Sequence, residues 1–199
     1  MKNILHVISS PRGSESFSVK LSNAVVEKFT EKFSGSSVTE LNLSTDSFPH
    51  LDEAMIKAMR TPEDLLSPEQ KDLLKRSDDA ISQLKEADAI VIGIPLFNFG
   101  IPSSLKCWID SVLRAGHTFS YDENGPKGLL SGKKVYIALA TGGVYSEGPA
   151  KSYDFVGPYL HAVLGFIGLT DISIIRAEGT AMADLQQNAL QKAISAIAI

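Results

Sequence analysis

Ala89-Ile90-Val91-Ile92-Gly93-Ile94 is the stretch on which the fold turns. It is almost continuously apolar and β-branched, and Pro95 closes it, so it reads as a strand, Ala89–Pro95, buried on both faces. A strand covered on both sides belongs to a parallel sheet with helices on each face rather than to a half-exposed antiparallel one. Four further apolar runs bounded by turn residues read the same way: Ile4–Ser9, Val38–Leu43, Lys134–Thr141 and Ile172–Ala177.

Helical patterns lie between these runs. Phe17, Leu21, Val25, Phe29 and Phe33 recur at steps of four and define one apolar helix face. Ser67-Pro68-Glu69-Gln70 has the form of a helix start, with a serine N-cap, a proline in the first turn and Gln70 placed to complete a capping box; Leu73, Leu74, Ile81 and Leu84 continue that helix. Another is expected from Pro102-Ser103-Ser104 through Trp108, Ile109, Val112 and Leu113. A fourth spans Tyr153–Phe166 with a bend at Pro158, and a last one runs from Ala181 to Ile197. Strand and helix alternate five times, which predicts an open, doubly wound α/β sheet of order 2-1-3-4-5 within one domain covering residues 1–199. The connection from Leu43 to Ser67 is long for such a fold and is expected to carry function or a short helix at Glu53–Met59.

Composition narrows the function classes. At 199 residues, 44% hydrophobic and 21% charged, the chain has the make-up of a soluble globular protein, and no apolar run is long enough to span a bilayer. The opening Met1-Lys2-Asn3-Ile4-Leu5-His6 is too briefly apolar for a signal peptide, so a cytoplasmic location and no membrane partner are expected. A net charge of −4 with scattered basic residues gives no basis for nucleic-acid binding. Cys107 is the single cysteine and sits beside Trp108 within a helix pattern, as a core residue would; it excludes an internal disulfide. His6, His50, His117 and His161 show no metal-ligand spacing, so no metal is expected.

In doubly wound sheets ligands bind beyond the carboxyl ends of the strands, where the strand order reverses. Three loops there have unusual content. Ser9-Ser10-Pro11-Arg12-Gly13-Ser14-Glu15-Ser16-Phe17-Ser18 holds five serines at a helix start, where hydroxyls, free N–H groups and the helix dipole can surround a phosphate. It lacks the glycine–lysine signature of triphosphate sites, so a monophosphate suits it better; its plainer reading is a serine-capped surface turn. Pro95-Leu96-Phe97-Asn98-Phe99-Gly100-Ile101-Pro102 offers apolar rings and one amide for a flat heterocycle, or else a buried turn that joins the core. Ala140-Thr141-Gly142-Gly143 offers backbone N–H groups at close approach, or an everyday glycine turn. The coincidence of all three after strands 1, 3 and 4 favours the functional readings.

Taken with Leu105-Lys106, Arg114-Ala115-Gly116-x-Thr118-Phe119, Glu123-Asn124-Gly125-Pro126 and Leu164-Gly165-Phe166-Ile167-Gly168, these segments make nearly the whole chain resemble the FMN-dependent NADH azoreductase and NADH:quinone oxidoreductase family of flavodoxin-like enzymes. The resemblance implies FMN as cofactor, with phosphate contacts at Ser10, Ser16, Phe17 and Ser18 and isoalloxazine contacts at Leu96, Phe97, Asn98, Phe99, Ala140, Thr141, Gly142 and Gly143. Some relatives have methionine and tyrosine at the positions of Leu96 and Phe97, and serine and arginine at those of Ala140 and Thr141; main-chain contacts survive such changes, whereas substrate preference need not.

It further implies substrate contacts from Arg60, Tyr121 and Phe166, the 117–126 region reaching a partner subunit in a homodimer, and NADH or NADPH as electron donor. Quinones would be reduced by two electrons and azo compounds cleaved to amines by a ping-pong cycle, with no catalytic side chain required. Two rival readings stand beside this one: a flavodoxin-type electron carrier without substrate turnover, and a phosphate-binding regulatory module of the same fold.

Overall fold

The computed structural model describes residues 2–199. Its strands are β1 (Asn3–Ile8), β2 (Ser37–Asn42), β3 (Ala89–Pro95), β4 (Phe119–Asp122), β5 (Gly125–Gly128), β6 (Lys134–Ala140) and β7 (Asp171–Ala177). Its helices are α1 (Phe17–Lys32), α2 (Glu53–Arg60), α3 (Pro68–Glu86), α4 (Ser103–Val112), α5 (Val156–Phe166) and α6 (Gln186–Ser195). The main sheet is parallel in the order β2-β1-β3-β6-β7, which is the expected 2-1-3-4-5 once the two short strands of the β4-β5 hairpin are set aside. That hairpin carries Tyr121 and covers much of the 117–126 region.

Every residue of β3 is buried, in keeping with its position at the centre of the sheet. One core layer packs α3, α4 and α5 on one face through Ile81, Leu84, Leu105, Trp108, Leu160 and Leu164, while α1 and α6 cover the other through Leu21, Val25, Phe29 and Ala193. Gly93 interrupts the apolar run for a steric reason: a Cβ there would lie 2.7 Å from Ser22 Oγ and 3.1 Å from the Ser18 carbonyl, so its absence lets α1 approach the sheet closely. The capping box at Ser67 and Gln70 forms as its spacing predicts.

Several boundaries differ from expectation. Phe33 follows the last residue of α1 and is exposed, and Leu73 is exposed on α3, so neither belongs to the core. The 153–166 helix does not bend at Pro158. A separate 3-10 turn ends at Tyr153, α5 starts at Val156, and Pro158 lies in its first turn, where a missing N–H breaks no intrahelical bond. The last helix begins at Gln186 rather than Ala181. Residues 179–181 are held instead by backbone bonds to the loop after β6, from Gly179 N to Gly143 O, Thr180 N to Thr141 O and Ala181 N to Gly142 O. Within the long 43–67 connection α2 forms over nearly the expected residues, capped by Asp52, whose side chain accepts from Met55 N at 2.7 Å.

The hairpin is set by its surroundings. Gly128 packs backbone against backbone on the turn after α5, where a Cβ would lie 2.1 Å from Gly168 N. Arg114, buried at the end of α4, donates to Ser77 Oγ and to the Asp78 carboxylate, and Thr118 Oγ1 donates to Val112 O at 2.7 Å, fixing the chain as it enters β4. Cys107 is buried as expected, with its Sγ 3.3 Å from His50 Nδ1, and burial pushes its thiol pKa up.

Candidate flavin site

Strand order reverses between β1 and β3, and the loops following β1, β3 and β6 lie at the carboxyl ends of three adjacent strands. The sequence of each loop shows how it takes its shape.

After β1, Ser9 is committed to structure: its Oγ and its N–H both donate to Gly93 O, joining the loop to β3. Ser10, Ser16 and Ser18 are buried, and Phe17 is half-buried. Ser16 occupies the N-cap position of α1 yet makes no capping bond to the helix; its Oγ lies 3.0 Å from Ser18 Oγ instead. In such a pair one hydroxyl donates and the other keeps its proton, so a donor remains uncommitted beside an uncapped helix end. Hydroxyls and free N–H groups in this arrangement fit a phosphate, and the helix dipole adds to the attraction.

After β3, Leu96 N donates to Ala140 O at 2.9 Å, and Phe97 and Gly100 exchange backbone hydrogen bonds of 3.1 and 2.9 Å. Asn98 and Phe99 are therefore the central pair of a tight two-residue turn, both at positive φ, 48° and 66°. Asparagine tolerates that conformation, whereas phenylalanine adopts it at a cost of about 1–2 kcal/mol. The turn holds Phe97 and Phe99 out at 40% and 45% exposure, so neither ring joins the core. Phe99 is braced from outside, with ring centroids 5.2 Å from Tyr153 and 6.3 Å from Tyr145.

After β6, Ala140 and Thr141 are buried, Thr141 N donates to Ala177 O, and Thr141 Oγ1 donates to Gly143 O at 2.7 Å. The carbonyls of Thr141, Gly142 and Gly143 are all taken by the N–H groups of residues 179–181. Among the described residues, no backbone hydrogen bond takes up the Gly142 or Gly143 N–H, which leaves two donors for a ligand. Gly142 packs against Ala181 and Gly143 against the Tyr145 ring, each 3.3 Å from where a Cβ would stand, so close approach is what asks for glycine here.

The remaining expected site residues divide. Tyr121 stands at 68% exposure on β4, edge-on to Phe119 with centroids 5.7 Å apart, and Phe119 packs at 4.7 Å on half-buried Phe166. Hairpin and α5 thus share one aromatic group. Arg60, exposed at the end of α2, lines a cleft of about 840 Å³ together with Arg114, His117, Asp78 and Lys85. None of the residues of the three candidate loops lines that cleft. Burial and the neighbouring Arg114 push the His117 pKa down. Among the described residues no group of three or more His, Cys, Asp and Glu could hold a metal ion, and no helix is long and apolar enough to cross a membrane.

Glu178 is the residue that sequence reasoning misses. It follows β7 and accepts from the N–H groups of Tyr145 and Ser146, and its only local sign is a carboxylate at the carboxyl end of the last strand.

Comparison with known proteins places this geometry. The family described as flavodoxin-like fold matches residues 2–198. An FMN-dependent NADH:quinone oxidoreductase of Herminiimonas arsenicoxydans is 48% identical over 92% of this chain and 89% of its own, and one from Agrobacterium fabrum is 46% identical over 98% and 94%. Among solved structures, an azoreductase from Bacillus anthracis superposes with a TM-score of 0.88 at 32% identity, covering 98% of both chains. An FMN-dependent NADH-azoreductase of the same species, solved in complex with FMN, gives 0.86 at 30% identity over 98% of this chain and 97% of its own. The chain belongs to the flavodoxin-like family, in the group of the FMN-dependent NADH:quinone oxidoreductases and NADH azoreductases.

Proposed function

We propose that this chain is an FMN-dependent NAD(P)H oxidoreductase that reduces quinones by two electrons and cleaves aromatic azo compounds to amines. The observation that carries the reading is the convergence at one strand-order reversal of an uncapped helix end, an exposed aromatic turn and a glycine pair with free N–H groups. The relatives named for quinone reduction and the solved structures named as azoreductases, each matched over most of its length, support it.

Ser10, Ser16, the Phe17 N–H and Ser18 would hold the phosphate. Leu96 to Phe99 would meet the edge of the ring system, with the exposed Asn98 amide and the turn's backbone at its polar rim. Thr141 shapes the glycine loop through its bond to Gly143 O, and the Gly142 and Gly143 N–H groups would be the donors that stabilise negative charge on the reduced cofactor. When bound, FMN supplies the two-electron chemistry between nicotinamide and acceptor. The chain's task is orientation, so no side chain need act as acid, base or nucleophile. With one face of the ring against the protein, donor and acceptor would use the other face in turn, a ping-pong order.

A single chain leaves Phe97, Phe99 and Tyr121 exposed, and a wall closing over a flat acceptor has to come from elsewhere. We take that wall to be a second copy, in a cytoplasmic homodimer whose hairpin presents Tyr121 to its partner's site; Arg60 is assigned to the same shared site, facing anionic groups of the nucleotide or of acidic dyes. The test is to purify the protein, record flavin absorbance and follow NADH and NADPH oxidation with a quinone and an azo dye. Turnover is expected with both acceptors. Bound flavin that NADH cannot reduce would restore the electron-carrier reading, and a colourless protein that takes up no FMN would favour the regulatory module.

A further inference from the structure

Glu178 belongs to none of the three loops, yet it anchors the one after β6. Both of its carboxylate oxygens are engaged: Oε1 accepts from Tyr145 N at 2.7 Å and Ser146 N at 2.9 Å, and Oε2 accepts from Ser146 Oγ. Hydrogen bonds to an ionised acceptor are among the stronger ones, and three on one carboxylate fix the chain just where it leaves Gly142 and Gly143. The residues after Glu178 grip the same loop from the other side, through the bonds that Gly179, Thr180 and Ala181 donate to its carbonyls.

What Glu178 fixes is the position of Tyr145. That ring rests against Gly143 on one side and stands edge-on to Phe99, 6.3 Å between centroids, on the other. Phe99 needs the support, because its φ of 66° is unfavourable for a bulky residue and must be held by contacts outside its own turn. Carboxylate, tyrosine and phenylalanine therefore form a chain from the end of β7 to the turn after β3. Without the carboxylate, the Tyr145 and Ser146 N–H groups lose their acceptor, and the loop beyond Val144 is held by the contacts of Tyr145 and Tyr153 with Phe99 and, at its far end, by the Asp154–Arg176 ion pair.

We propose that Glu178 is a positioning residue of the flavin site, acting through Tyr145 to hold the Phe99 wall and the Gly142–Gly143 donors in one arrangement. It touches no reacting atom. The assignment rests on the flavin reading above and deepens it.

The experiment compares wild type with Glu178→Ala, Glu178→Gln, Tyr145→Ala and the Glu178→Ala/Tyr145→Ala double variant, each checked for folding by circular dichroism. Two quantities are read on the apo-protein: FMN affinity by fluorescence quenching, and the rate of proteolytic cleavage within residues 144–153. Glu178→Ala is expected to weaken FMN binding at least tenfold and to speed cleavage. Glu178→Gln should recover most of both, since an amide oxygen still accepts from the two N–H groups. The double variant should be no worse than the more severe single one, because both act along one chain of contacts. Wild-type affinity in Glu178→Ala, a glutamine variant no better than alanine, or fully additive losses in the double variant would each overturn the proposal. Should Glu178→Ala fail to fold, the glutamine variant and Tyr145→Ala decide it: Tyr145→Ala must weaken FMN binding and speed cleavage. A wild-type chain that takes up no FMN would defeat the flavin reading itself, while the cleavage comparison would still report on the Glu178–Tyr145 link.

Discussion

Acidification should destabilise this protein well before its carboxylates titrate, and the cause is one residue on β1. His6 is 2% exposed, its Nε2 lies 2.8 Å from Ser22 Oγ on α1, and burial lowers its pKa from 6.5 to about 4. A group whose folded pKa lies below its unfolded value contributes stability that is complete above the unfolded pKa and is lost as pH falls toward the folded one. The window here runs from pH 6.5 down to about 4. Linkage gives a loss of about 2 kcal/mol by pH 5 and about 3 kcal/mol by pH 4, relative to neutral pH, because a tenfold change in a protonation equilibrium corresponds to ~1.4 kcal/mol. His117, lowered by burial and Arg114, adds a loss of the same sign, so the measurement has to be differential. Asp88, held down by the Asn3 N–H, adds a loss of the same sign as pH falls through the ordinary carboxylate range, at the lower end of this window. Urea unfolding of the apo-protein at half-unit pH steps, for wild type and His6→Gln, isolates the histidine's contribution: the glutamine can keep a bond to Ser22 but cannot take up a proton. The wild-type curve should fall away from that of the variant across the window by about 3 kcal/mol. Parallel curves would mean that His6 is solvated or already charged when folded, and the reasoning from burial would fail.

Substitutions at three positions probe the site and its frame. Phe99→Gly and Phe99→Ala remove the same ring but differ in backbone freedom, so thermal unfolding should find the glycine variant more stable by about 1 kcal/mol; equal stability would mean that the turn carries no strain. Gly128→Ala drives a methyl into the Gly168 backbone, and denaturant titration should show a loss of about 1–3 kcal/mol, with a wild-type midpoint as the contrary result. Ser18→Ala should weaken FMN retention by about 1.5–3 kcal/mol, as expected for a hydrogen bond to a charged group, and undiminished flavin affinity on fluorescence titration would put the phosphate elsewhere.

Much of the architecture is legible in the sequence because it rests on local periodicity. The buried run at Ala89–Ile94, the spacing along α1 and the Ser67 capping box each carry their own signal, and all five strands of the main sheet follow in the expected order. Where expectation fails, distant contacts decide. Nothing near Ala181 shows that residues 179–181 will bond to the loop after β6 instead of starting a helix, and Pro158 looks like a kink until the helix is seen to start two residues before it. The candidate site divides in the same way. Serines at a helix start and a Gly-Gly pair are visible as residue types, and Asn98 hints at a left-handed turn. The left-handed backbone of Phe99, the rings bracing it and the Glu178 carboxylate on Tyr145 depend on segments brought together only by folding. Arg60 shows another case, a residue singled out by resemblance that lines a cleft with Arg114 and His117, residues that no local sequence signal links to it.

The central claim, that one open ring face serves donor and acceptor in turn, is tested most directly by separating the two halves of the reaction. Anaerobic NADH is added to the FMN-loaded protein with no acceptor present; the excess nucleotide is then removed and a quinone supplied. The account predicts complete loss of the oxidised-flavin absorbance in the first step and its full return in the second, with parallel lines in double-reciprocal plots at steady state. Reduction that proceeds only when the quinone is already bound, or intersecting lines, would require both molecules in the site at once and would contradict it.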